Sequence, residues 1–332
     1  MRRLDLHMRD SDEFDIVIRA IKPADPIDYL VIPVEQQDRK YVSVFLRDGT
    51  GQALMDNLQT CLEGQDDWRI SLIPIEATAP KIEADKDKQQ TSKQALREEI
   101  FTDVQDGAKL DRDFLILVVL STIVAAVALD SNSVAGVIGA MVIAPLLGPI
   151  LGFSMGAALG DQKLLVGAGK TLVVGIGVAL LSAVLISLVL DVDFSSRELI
   201  SRAEVRLEGM ALAIAAGAAA ALSMAKGQGS VLVGVMVAAA LLPPGAAVGL
   251  FAGSGEWELA SRAGLLLLLN VASLVFSALV VFRLKKIKPR SWIEQKGADR
   301  AVAINIGLSV MFLSAAVILI VVLDLGSEVS IG

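Results

Sequence analysis

Residues 134–159 read VAGVIGAMVIAPLLGPILGFSMGAAL, a run without a single charged residue. About 20 apolar residues are enough to cross a hydrocarbon core of ~30 Å, so this stretch predicts a membrane-spanning segment. Pro145, Gly148 and Pro149 fall inside it. Because a proline lacks the backbone donor that a continuous helix needs, this span is predicted to be interrupted.

Hydropathy on either side adds six more spans, and together they predict a multi-span α-helical membrane protein of about seven helices. The seven stretches are 114–129, 134–159, 164–190, 209–225, 231–252, 259–282 and 301–323. The composition agrees, because 54% of the residues are hydrophobic but only 5% are aromatic. An excess of Ala, Val, Leu and Gly is typical of helices that pack closely in lipid. We therefore expect the lipid bilayer to be a partner of this chain.

Basic residues predict the orientation of the spans. The connection after the sixth span carries seven Lys and Arg residues between Arg283 and Arg300, and is expected to be cytoplasmic. Counting back six crossings places the N-terminus on the same side, in agreement with the lack of an apolar signal sequence after Met1. We expect a multi-pass protein of the cytoplasmic (inner) membrane with an external C-terminus. Three arginines in the connection 191–208 fit its predicted external side less well.

Residues 1–80 are predicted to form a separate cytoplasmic domain. Short β-patterned runs at 3–8, 29–34, 41–46 and 68–75 alternate with two amphipathic helices, the second carrying Cys61 on its apolar stripe. The resulting order β-α-β-β-α-β is that of a ferredoxin-like α/β fold. By analogy with other domains of this fold, one expectation is a small-molecule ligand on the domain.

Residues 81–112 are predicted to be a charged linker followed by an amphipathic juxtamembrane helix. The apolar residues recur at helical spacing, opposite acidic ones, and are Leu96, Ile100, Phe101, Val104 and Ala108. The helix is expected to lie either on the bilayer surface or against another subunit. Its acidic residues favour the second alternative, and with it a homo-oligomer.

The transmembrane domain, residues 113–332, contains an internal repeat. A shift of 95 residues superimposes repeat 1 (113–190) on repeat 2 (208–285), with identities that include Gly139 with Gly234 and Pro149 with Pro244. Each copy holds three spans, an odd number, so the second copy is expected to be inverted relative to the first. Inverted repeats are common in secondary transporters. An extra helix at 301–323 follows the second repeat.

The middle span of each repeat is the predicted substrate or ion pathway. Prolines inside these spans would free backbone carbonyls, each of which costs several kcal/mol in hydrocarbon unless a partner satisfies it. Interrupted spans at matching positions of two repeats indicate a transport site. The alternative is a pair of kinks that serve only packing. The candidate residues are Met141, Pro145, Gly148, Pro149, Ala239, Ala240, Pro243, Pro244, Gly245 and, in the sixth span, Asn270.

The residue inventory argues against several functions. No Asp or Glu lies in the middle of a span, which argues against a pump built on buried carboxylates. One histidine and one cysteine leave no histidine-based metal cluster and no internal disulfide. We expect no enzymatic activity, no cofactor, no metal and no nucleic-acid partner. Two functions remain: a transporter or channel for an unidentified small solute or ion, regulated by its cytoplasmic domain, or a non-transporting sensor or scaffold anchored by an oligomeric helix bundle.

The chain also resembles the membrane proteins that share domain of unknown function 389. The resemblance rests on IPIEAT at 73–78, REE at 97–99, GAMVIAPLLGPILG at 139–152 and LLPP at 241–244. It covers about residues 1–285 and implies a cytoplasmic domain joined to a hydrophobic one. It implies neither a substrate nor a catalytic residue.

Overall fold

The computed structural model describes residues 1–9, 14–34, 39–47, 51–65, 67–75, 78, 96–227, 231–285, 287, 307, 311, 314 and 317. The chain divides into two compact units, Met1–Ile100 and Phe101–Gly332. The charged linker and most of the basic segment that follows the sixth span lie outside the described residues. A small antiparallel sheet characterises the first unit, and the second is helical.

The first unit contains four strands and two helices before the juxtamembrane segment. They are β1 Arg2–Arg9, α1 Phe14–Ile21, β2 Asp28–Val34, β3 Arg39–Leu46, α2 Gly51–Cys61 and β4 Arg69–Pro74. The sheet order is β2-β3-β1-β4, and each neighbouring pair is antiparallel. The predicted order β-α-β-β-α-β is therefore confirmed, with β3 inserted between β1 and β2 as in a split βαβ unit.

Side-chain alternation along the strands builds the core of this unit. Leu4, Leu6 and Met8 of β1 are fully or almost fully buried and form one cluster with apolar residues of α1 and α2. Cys61 is only half-buried, although its stripe had placed it in the core. Asp5 points to the opposite face of the sheet, where its Oδ1 accepts a hydrogen bond of 2.7 Å from Ser43.

The juxtamembrane helix α3, Arg97–Gly107, is present as predicted. Leu96, which precedes it, lies against Gly51 of α2, and Arg97 forms an ion pair of 3.1 Å with Asp56. The beginning of α3 is therefore packed into the first unit, which extends past residue 80 to Ile100.

The second unit contains eight further helices in its described part. They are α4 Arg112–Asp130, α5 Val134–Ile143, α6 Leu147–Leu159, α7 Gln162–Ser187, α8 Arg197–Ile200, α9 Leu207–Ala225, α10 Val231–Gly253 and α11 Trp257–Leu284. Among the described residues, α4, α7, α9, α10 and α11 are each long and apolar enough to cross a membrane. The pair α5 and α6 adds a sixth candidate span, bent by 54°. The predicted seventh span lies outside the described residues except for four positions, 307, 311, 314 and 317, which are helical.

Polar side chains at the helix ends explain where α4 stops and α5 starts. Ser133 caps α5, since its hydroxyl oxygen accepts a bond of 3.2 Å from the Gly136 amide. Asp130 and Asn132 accept hydrogen bonds from the amides of Asp193 and Glu198, at 2.8 Å and 3.0 Å. These bonds tie the connection after α7 to the end of α4.

Candidate substrate or ion pathway

The first proline-containing span is interrupted, as predicted. α5 ends at Ile143, Ala144 adopts an extended conformation, and α6 starts at Leu147 in a different direction. Pro145 lies in the linker between the two helices. Without an N–H on Pro145, the carbonyl of Met141 loses its donor in the next turn. The break thus opens the C-terminal end of α5.

Pro149 has a different place from the one expected. It is the third residue of α6, in the first turn, where backbone N–H groups have no partner within the helix in any case. Pro149 is therefore compatible with its helix and removes no helical hydrogen bond, so the expectation that each proline of this span frees a carbonyl is wrong for Pro149.

The prediction of a break in the second proline-containing span is also wrong, because α10 is continuous through Pro243 and Pro244. Pro244 cannot donate to the carbonyl of Ala240, one turn earlier. That carbonyl instead accepts a hydrogen bond of 2.8 Å from Nδ2 of Asn270 on α11. A side chain of a neighbouring helix replaces the missing backbone donor, so one freed carbonyl is satisfied inside the bundle.

The two proline-containing segments nevertheless meet at one small cavity. Its volume of ≈ 10 Å³ is close to the least that admits one water molecule. Three helices, α4, α7 and α10, and the break line it, through Val118, Ser121, Leu146, Gly175, Ile176, Ala179, Leu241, Leu242 and Gly245. Ser121 is the polar member of this lining, and its hydroxyl donates to the Val118 carbonyl at 3.0 Å. The cavity is thus apolar, and it does not collect the freed carbonyls that the sequence had suggested.

Gly245 differs from Gly249, four residues further along α10. A Cβ built on it would meet no described heavy atom within 4 Å, whereas one on Gly249 would lie 2.4 Å from the Cβ of Ala183. Gly249 therefore allows close packing of α10 against α7, since a small residue lets the two backbones approach. Gly245 instead contributes open space to the cavity.

The C-terminal end of α3 packs directly against the start of α6. A Cβ on Gly148 would lie only 1.9 Å from the carbonyl oxygen of Gly107, and one on Gly152 would lie 2.7 Å from the Cβ of Ala108. The Ala108 carbonyl also accepts a hydrogen bond of 2.8 Å from the buried hydroxyl of Thr171 on α7. We call this contact, formed by Gly107, Ala108, Gly148, Gly152 and Thr171, the α3 clamp.

The α3 clamp was not predicted from the sequence. The apolar stripe of α3 had been assigned to the bilayer surface or to another subunit, but Val104 and Ala108 contact Gly152 of the same chain. The small pair Gly107-Ala108 and the spacing of Gly148 and Gly152 were the available signal, since small residues four apart permit close approach of two backbones.

In the described part of the second unit, the buried polar side chains are neutral serine, threonine and asparagine residues. Most of their hydroxyl groups donate to nearby backbone carbonyls, for example Ser154 to Ile150 at 2.8 Å and Ser277 to Leu274 at 3.1 Å. Two atoms are exceptions. Oδ1 of Asn270 and Oγ of Ser273 are buried and have no hydrogen-bond partner among the described residues. Ser273 was not among the predicted site residues.

The first unit has a buried carboxylate, but its oxygens are occupied. Asp5 is 4% exposed, and Arg3 lies 3.0 Å from its Oδ2. Burial, followed by the hydrogen bond to Asp5, raises the pKa of the neighbouring Tyr41 phenol. This polar group therefore stabilises the sheet, and the small-molecule ligand expected on the domain stays a prediction.

A small α/β unit followed by long apolar helices, one candidate span of which is broken, indicates a membrane-embedded helical protein. Comparison with known sequences agrees. The family described as domain of unknown function (DUF389) matches residues 141–276, a range that includes both proline-containing segments and Asn270. An uncharacterised protein of Methanocaldococcus jannaschii, MJ0678, is 31% identical over 270 residues, which cover 81% of this chain and 84% of the relative.

The chain therefore belongs to the DUF389 family. No solved structure matches it.

Proposed function

We propose that this protein is a membrane transporter or channel for a small solute or ion, with a cytoplasmic domain that regulates it. The observation that carries the proposal is the cavity shared by the break of one span and the proline-containing turn of another. Interrupted helices next to a cavity in the middle of a bundle are typical of transport sites. A purely anchoring bundle has no use for a broken span, since each break costs backbone hydrogen bonds.

The positions of the helices support the repeat, and the odd number of spans in each copy implies its inversion. α4 spans 112–130 and α9 spans 207–225, so the bounds of the two helices differ by 95 residues at both ends. α7 and α11 start at Gln162 and Trp257, again 95 residues apart. This is the shift at which the two sequences match. Two inverted copies that rock against each other would give alternating access to a site at their interface.

The α3 clamp supports regulation of the pathway by the N-terminal part of the chain. α3 starts in the first unit and ends on Gly148, two residues after the break residue Leu146 that lines the cavity. A displacement of α3 would therefore release the start of α6. A ligand or partner that binds the cytoplasmic domain could act through this helix, provided that it favours one of the two positions.

The test is solute permeation through proteoliposomes that contain the full chain. Stopped-flow light scattering with urea, glycerol and small sugars, and current measurements with Na⁺, K⁺ and Cl⁻, cover neutral and charged solutes. We expect at least one of them to permeate faster than through protein-free vesicles. If none does, the alternative of a non-transporting sensor or scaffold replaces the proposal.

Gly245→Ala separates a pathway from a packing role. The added methyl group enters the cavity without touching a described atom within 4 Å, and replacing glycine by alanine inside a helix adds about 1 kcal/mol of stability. We expect a protein of equal or higher stability with reduced permeation. Gly139→Ala is the matched control, because a Cβ there also meets no described atom within 4 Å but Gly139 does not line the cavity. Unchanged permeation in Gly245→Ala would show that the cavity is not on the pathway.

A further inference from the structure

We infer that Asn270 and Ser273, together with the backbone of α10 at Ala239, bind a monovalent cation in the interior of the helix bundle. The inference deepens the proposed function by naming an ion that the pathway would carry or use for coupling. It starts from the two buried oxygens that have no hydrogen-bond partner among the described residues, Oδ1 of Asn270 and Oγ of Ser273. Asn270 is 5% exposed and Ser273 is 0% exposed.

The two side chains lie close together near the middle of α11. Residues three apart on a helix are neighbours on its surface, with Cβ atoms about 5–6 Å apart. Asn270 is held in place by the bond from its Nδ2 to the Ala240 carbonyl. Since the amide nitrogen makes that bond, the opposite end of the amide group must present its oxygen, an acceptor.

A third acceptor is the carbonyl of Ala239, the residue of α10 that directly precedes Ala240. Pro243 has no N–H, so the carbonyl of Ala239 lacks its usual donor one turn ahead. The neighbouring carbonyl of Ala240 is the one that Asn270 satisfies. The Ala239 oxygen is therefore an acceptor on the same turn of α10 that Asn270 contacts, and with the Asn270 amide oxygen and the Ser273 hydroxyl oxygen it completes the proposed ligand set.

Ser273 differs from other buried hydroxyl groups of the second unit in a way that fits coordination. Thr122, Ser154 and Ser277 each donate to a carbonyl of their own helix, three or four residues earlier. Ser273 makes no such bond with a described residue. Its oxygen lone pairs are therefore available to a ligand in a position where an unpaired buried polar group is otherwise costly.

The charge of the surroundings selects the class of ligand. The buried polar residues of the described part of the second unit are all neutral, and divalent cations such as Ca²⁺ and Mg²⁺ are bound in proteins with carboxylates among their oxygen ligands. Neutral oxygens alone, from carbonyl, amide and hydroxyl groups, suit a dehydrated monovalent ion such as Na⁺ or K⁺. A water molecule would satisfy the same acceptors but without dependence on the cation.

The experiment measures equilibrium binding of radioactive ²²Na⁺ and of the K⁺ analogue ⁸⁶Rb⁺ to the full chain in nanodiscs, with choline chloride keeping the ionic strength constant. We expect saturable binding of at least one ion. Ser273→Ala should weaken it by about tenfold, because one coordinating oxygen is lost while the Asn270–Ala240 bond stays. Ser277→Ala is the matched control, since its hydroxyl has a carbonyl partner, and it should bind like the parent.

Thermal unfolding provides a second readout, which distinguishes a bound cation from a bound water molecule. With a cation site, Na⁺ or K⁺ raises the Tm of the parent, and Ser273→Ala loses most of that increase while unfolding no earlier than the parent in choline chloride. Absence of saturable binding of both ions, or equal affinities in parent and Ser273→Ala, would overturn the inference and leave a bound water in its place. Because no flux is measured, failure here leaves the permeation test of the proposed function intact.

Discussion

Gly148→Ala tests whether the α3 clamp holds the start of α6. The new Cβ would lie 1.9 Å from the Gly107 carbonyl oxygen and 2.3 Å from its carbon, and separations under 3.0 Å are essentially never observed. Since the atoms it meets are backbone, α3 or α6 must move by about 1 Å. Overpacking of this kind costs about 1–3 kcal/mol, and the gain in helix propensity offsets at most ~1 kcal/mol.

Taking the middle of that range, about 2 kcal/mol, with the full offset leaves a net cost of about 1 kcal/mol, which corresponds to about a five-fold change in an opening equilibrium. Hydrogen exchange followed by mass spectrometry measures this change in peptides that cover 101–108. We expect their amides to exchange faster by that factor, while peptides of α11 keep the exchange rate of the parent. Thr171→Val, which removes the 2.8 Å bond to the Ala108 carbonyl, should change the same peptides.

Gly139→Ala is the control for this measurement, because a Cβ there meets no described atom within 4 Å. Equal exchange of 101–108 in the parent and in both clamp variants would refute the clamp. An equal acceleration in Gly139→Ala would mean that any alanine in this segment disturbs the bundle, and the contact would lose its special role.

Two further predictions concern the membrane topology and the first unit. In a Cys61→Ser background, single cysteines at Ser195 and Ser330 should react with impermeant reagents from outside intact cells and one at Ser291 should not, because the basic segment after the sixth span is expected inside; the reverse labelling would refute the orientation. A fragment of residues 1–100 should be more stable in urea denaturation than a fragment of residues 1–80 by about 2 kcal/mol, since only the longer one buries Leu96 against Gly51. Equal midpoints would show that the first unit is complete at residue 80.

Local sequence patterns predicted most of the elements because those elements depend on local physics. The six described spans start and end within a few residues of the predicted bounds, as expected when about 20 apolar residues are bounded by charges and caps. The strands of the first unit follow in the same way from alternation. The α3 clamp could not be predicted, because two small residues four positions apart do not identify the helix that packs on them.

The proline-containing spans show more clearly where local reasoning stops. The same rule, that proline removes a helical donor, predicted a break in both spans. Only the first of the two spans is broken, and α10 is continuous. The shift of 95 residues places Gly175 at the position of Asn270, and Pro145 at that of Ala240. In the second span, Asn270 supplies the donor that Pro244 lacks, and α10 continues. Gly175 has no side chain to do the same in the first span, where the helix ends and Gly175 lines the cavity.

The pair of differences between the two repeats, Pro145 against Ala240 and Gly175 against Asn270, thus accompanies one broken and one continuous span. It also gives the two copies different chemistry: an apolar cavity where glycine stands, and a pair of buried oxygens without a described protein partner where asparagine stands. A transport pathway that passes both would meet the apolar cavity at one repeat and polar ligands at the other. The prolines alone therefore did not determine either site, because each depends on the residue that the third helix of its repeat places opposite them.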